Sequence, residues 1–128
     1  MQVVINSRLV SRDITNFIIE GSYKMDSSDV YESWKDGNKI EHRIIVGKKI
    51  NGSFQVVCSN RTNSITLSTF LSYWNNAVRN GVITLGVYVN NTNKFEAIEA
   101  YYTMDNIKHD RAGDGSFIDV LEIKITER

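Results

Sequence analysis

The stretch TLSTFLSYWNNAVRNGVITLGVYV, residues 66–89, changes its hydrophobic period part-way along. In its first part Leu67, Phe70, Leu71, Trp74 and Val78 fall at i, i+3, i+4, i+7 and i+11, the apolar stripe of an α-helix. Past Gly81 the period drops to two, and Ile83, Leu85, Val87 and Val89 share one face of a strand. Thr66 is placed to cap the helix start, with Ser64 and Ser68 as rivals. Gly81 suits the left-handed position past its end, where Arg79 also meets the negative end of the helix dipole. No other segment carries a convincing helical stripe, so the chain reads as strands, one helix, then more strands.

Downstream, residues 90–93 make a connection of hairpin length. Residues 94–104 set Ile98, Ala100, Tyr102 and Met104 on one side of a strand, residues 105–116 read as a polar loop, and 117–126 form a last strand with Leu121, Ile123 and Ile125 facing in. Upstream, residues 2–5 read as a short strand, Leu9, Val10 and Ile14 as a small local element, and 17–23 as a second strand. Residues 24–38 hold few apolar side chains and many turn formers, among them Asp26, Ser27, Ser28, Asp29 and Gly37. They are expected to form a long loop. A strand over 39–46, with Ile40, Ile44 and Val46 on one face, a connection over 47–52 and a partner strand over 53–59, with Phe54, Val56 and Cys58 in phase, complete a predicted hairpin. The expected fold is mainly β: a single domain over 1–128, a β-sandwich or barrel whose one helix covers a sheet face or plugs an open end.

Composition narrows the function classes. Hydrophobic residues are 41% and charged residues 23% of 128, a globular balance. Fifteen Lys and Arg match fifteen Asp and Glu, so no cationic excess argues for nucleic-acid binding. One cysteine, Cys58, excludes an intrachain disulfide and a multi-cysteine zinc site. No apolar run approaches the ~20 residues of a membrane span, and no secretory signal is visible, so cytosolic synthesis is expected. Proline is absent, which leaves strand edges less protected against pairing with another chain.

No nucleophile elbow, phosphate loop or dinucleotide fingerprint is present. His42, in phase with Ile40 and Ile44, reads as a partly buried, hydrogen-bonded side chain, His109 as a member of a polar loop, and Cys58 as a small buried hydrophobe. Asp105, Asp110 and Asp114 fail the spacing of a calcium loop. No catalytic, cofactor-binding or metal residue is therefore assigned. Tyr31 and Trp34 stand out, because no core periodicity explains large aromatics in a polar loop, where they either tuck back or anchor a partner. The alternative is a small-ligand-binding β-barrel in which tyrosines line a cavity and His42 or Asp119 orients the ligand. A small enzyme using His42 or His109 as base is a third reading.

The opening Val3, Ile5, Asn6 and Ser7, the Trp34-Lys35-Asp36-Gly37-Asn38 segment and the terminal Glu122-Ile123-Lys124-Ile125-Thr126-Glu127-Arg128 strand, in this order of elements, resemble the small tail-structural proteins of tailed phages and prophages. These include tail-tube subunits, tail-terminator-like proteins and the tube-like domains of distal-tail and baseplate hub proteins. The resemblance implies a tail-tube-like β-sandwich with one flanking helix, and a non-enzymatic virion protein without a cofactor. Its partners would be itself, in a homo-oligomeric ring built by sheet-edge pairing, and other tail proteins. No membrane or specific nucleic-acid contact is implied, although DNA could pass through an assembled lumen. Within that frame residues 24–38 are the expected assembly loop, crossing to a neighbour and anchored by Tyr31 and Trp34.

Overall fold

The computed structural model describes residues 1–8 and 10–128. The chain is mainly β, one open eight-stranded antiparallel sheet with one short flanking helix. Strands β1 (Val3–Asn6), β2 (Ser11–Asp13), β3 (Lys24–Lys35) and β4 (Glu41–Ser59) precede helix α1 (Leu67–Ala77). Strands β5 (Val78–Arg79), β6 (Val82–Val89), β7 (Lys94–Arg111) and β8 (Phe117–Glu127) follow it. Across the sheet the order is β2, β1, β6, β7, β8, β4, β3, with β5 folded back on the start of β6.

The change of period at Gly81 sits where expected. Thr66 is the cap, its hydroxyl oxygen accepting the Thr69 N–H at 3.3 Å. The helix ends at Ala77, two residues early, because Val78 and Arg79 turn extended to pair with Ile83 and Val82. Trp74 is fully buried between Phe70 and the edge of Tyr102, whose ring centroids lie 6.0 and 5.2 Å away. The inward sets Ile83, Leu85, Val87, Val89 of β6, Phe54, Val56, Cys58 of β4 and Leu121, Ile123, Ile125 of β8 are all buried. Leu9 of the expected small element lies outside the described residues; Val10 is exposed and outside any strand, β2 follows it, and Ile14 is buried.

Four expectations are corrected. Residues 24–38 are not a long loop: β3 is twelve residues long and is hydrogen-bonded to β4 throughout. Residues 47–52 are not a turn: β4 runs unbroken for nineteen residues, so the expected hairpin partners are two halves of one strand. Gly47 lies beside a bulge, where Val46 is the extra residue between the Val30–Gly47 and Tyr31–Ile45 pairs. Gly52 is where β4 crosses β3 at close range, since a Cβ there would overlap the Lys24 carbonyl and Met25. Residues 105–111 continue β7 rather than looping. Residues 17–23 hold the last residue of a 3-10 turn (Thr15–Phe17) and one isolated bridge, Ile18 to Val56, in place of a strand. In each of the polar segments, backbone pairing with a long neighbour overrides side-chain propensity.

The root of β3 also meets the β6–β7 turn. Asn90 donates its N–H to the Met25 carbonyl at 2.8 Å, and the Asn91 amide brackets Ser27, accepting its N–H and donating to its carbonyl.

Candidate functional site

β8 pairs with β4 only from Asn51 onward, and the Glu127 carboxylate takes the next free donor, the Ile50 N–H, at 2.9 Å. Beyond that point β4 keeps β3 as its only neighbour. Residues 41–49 with 28–35 therefore leave the body as a two-stranded arm about 30 Å long at ~3.4 Å per residue. Asp36 closes its tip. One carboxylate oxygen accepts the Asn38 and Ile40 N–H groups, and the other accepts from His42 Nε2 at 2.8 Å. The His42 hydrogen bond, first among these contacts, holds Asp36 below the usual carboxylate range.

Both faces of the arm are apolar in part. The register puts Tyr31, Ile45, Ser33 and Arg43 on one face, with the Arg43 guanidinium 5.8 Å from the Tyr31 ring centroid. Trp34, His42, Glu32 and Ile44 occupy the other, where Trp34 and His42 stack with centroids 5.5 Å apart. Tyr31, Trp34, Ile40, Ile44, Ile45 and Val46 are each 51–56% exposed, six of the eleven large exposed hydrophobics among the described residues. The two aromatics singled out from sequence thus lie on one arm but on opposite faces. Periodicity set Ile40, Ile44 and Val46 on one face of the expected strand over 39–46, and nothing in that pattern marked them or Ile45 as exposed. His42 is hydrogen-bonded as expected but exposed, not partly buried.

A second constellation crosses β4, β8 and β7. Cys58, Asp119 and His109 are direct cross-strand neighbours. His109 is therefore on a strand and not in a loop. Asp119 is fully buried and accepts from His109 Nδ1 at 2.6 Å, from Arg111 at 3.2 and 3.4 Å and from Asn106 at 3.3 Å. Burial pushes its carboxyl upward, but the hydrogen bonds from Asn106, Arg111 and His109 outweigh that and hold it below the ordinary carboxylate range. Cys58 goes the other way: burial and the Asp119 charge push its thiol up to about 12. A thiol so raised stays protonated at neutral pH and makes a poor nucleophile or metal ligand. The expected ligand-orienting role of Asp119 meets a carboxylate already saturated by its own hairpin. No group of three His, Cys, Asp or Glu side chains converges on a metal-sized position among the described residues.

Strand edges are the remaining resource. β3 is an outer strand, and residues 101–111 of β7 pair only with β8, because the β6 ladder stops at Ala100. No protein-family model matches the chain, and no curated protein is similar enough to count as a relative.

Proposed function

We propose that the protein is a non-enzymatic structural subunit of a phage or prophage tail, which assembles with copies of itself and with other tail proteins into a ring, tube or baseplate layer of the virion. The observation that carries this reading is the β3–β4 arm. A two-stranded ribbon is marginal in water on its own, and exposing six large hydrophobics on it costs more unless a partner covers them. Apolar residues on both faces suit an arm gripped from two sides by neighbouring subunits, with Tyr31 and Trp34 as opposed anchors. The free edges of β3 beyond Ser27 and of β7 beyond Ala100, in a chain without proline, supply sites for edge-to-edge pairing around a ring. On this reading the sheet and its helix form the tail-tube-like β-sandwich that the sequence resembles. Each interface should bury well over ~1,000 Å² in total. Electron microscopy of the purified protein, with sedimentation across a concentration series, tests the proposal. Rings, tubes or layered assemblies are expected, and a monomer at every concentration contradicts it.

A further inference from the structure

A cationic hollow lies at the other edge of the sheet. A half-open cavity of about 340 Å³, between the β1–β2 turn, β2 and the end of α1, is lined by Arg8, Arg12, Arg79, Tyr73, Asn76 and Ser7 and by no carboxylate. A second cavity of about 310 Å³ shares Arg8, Arg79, Asn76 and Ser7 and likewise has no acidic lining. None of the three arginines forms an ion pair among the described residues, whereas Arg43, Arg111 and Arg128 pair with Glu41, Asp119 and Glu99. Acids stand just outside the cavity: Asp13 shares the adjoining hollow with Arg12 and Tyr73 and accepts the Thr15 N–H, and Glu99 lines another hollow with Arg79, where it faces Arg128. The Arg12 guanidinium lies 4.0 Å from the Tyr73 ring centroid, which holds it in place.

Arg8, Arg12 and Arg79 are solvent-exposed, and three positive charges lining one hollow make it favourable ground for an anion. Each guanidinium offers a fork of parallel N–H donors that matches an oxyanion edge. A single carboxylate has two acceptor oxygens and one charge, too few for three forks. A terminal phosphoryl group has three acceptor oxygens and a charge of about −2. We propose that this cavity binds a dianionic phosphoryl group, as inorganic phosphate, pyrophosphate or a phosphate monoester. An internal phosphodiester, with one charge, fits worse. The proposal stands independently of assembly.

Isothermal titration calorimetry of the intact chain with pyrophosphate and with inorganic phosphate, at ionic strength held constant with chloride, tests it. One site per chain is expected. Arg12→Gln and Arg79→Gln should each weaken binding about tenfold or more, as loss of a charge-assisted hydrogen bond does. Thermal melts check that each variant is folded, and a variant that is not is set aside so that the other is read alone. A short oligonucleotide with a 5′-phosphate, against the same strand without it, separates the sources. Binding that needs the terminal phosphate points to a nucleic-acid end, and binding of the free anions alone points to a small molecule. Both support the site. No heat with any of these ligands, oligonucleotide binding that is equal with and without the 5′-phosphate while the free anions give none, or unchanged affinity in a folded variant overturns it.

Discussion

Trp74 and Asp119 show two ways in which one side chain holds this fold. Trp74 was legible in the sequence because it falls on the helical stripe, and it is fully enclosed by Phe70, Tyr102 and the sheet. Trp74→Ala should cost about 3–5 kcal/mol, read as a lowered melting temperature or denaturant midpoint. An unchanged melt would contradict the packing of helix on sheet. Asp119 was legible only as a polar residue in an inward stripe. Its three partners, Asn106, His109 and Arg111, lie on residues read from sequence as a loop, so nothing local marked them. Because its folded pKa is depressed, its stabilisation is present above the unfolded value of about 3.9 and lost as pH falls through the lower folded value. Asp119→Asn should lower stability at pH 7 by about 1–3 kcal/mol and flatten the loss of stability below about pH 4, measured by melts over a pH series.

The elements divide by whether one face is buried. Helix α1, β6 and the inner halves of β4 and β8 each press one face on the core, so period 3.6 or period 2 survives in the sequence and their existence was readable. The arm buries neither face, and nothing forces alternation on it. Ser28, Asp29, Glu32 and Ser33 then read as loop although they are paired throughout. Gly52, in the body of β4 between β3 and β8, was read as a turn residue because Asn51-Gly52-Ser53 carries turn chemistry, when its role is close approach to β3. Gly52→Ala should destabilise by about 1–3 kcal/mol, because the added methyl meets Lys24 and Met25 backbone atoms that cannot swing aside. A denaturation midpoint equal to that of the unsubstituted chain would contradict that crowding. The cap is a smaller effect: Thr66→Ala should cost about 1 kcal/mol in the same assay.

For the whole molecule, the proposed assembly makes the arm the surface that a neighbour covers. A formal net charge of zero leaves little long-range repulsion between copies. The cationic hollow and the arm lie at opposite ends of the strand order, so assembly through the arm leaves anion binding separately measurable. Tyr31 and Trp34 are about half exposed and outside the core, so removing them should leave the isolated subunit's stability within about 0.5 kcal/mol. The most direct measurement is sedimentation and thermal melting of the double variant Tyr31→Ser with Trp34→Ser beside the unsubstituted chain. The variant is expected to melt with the unsubstituted subunit and no longer to assemble. Assembly that persists in the variant, or a subunit that melts early because those aromatics belong to its own core, would contradict it.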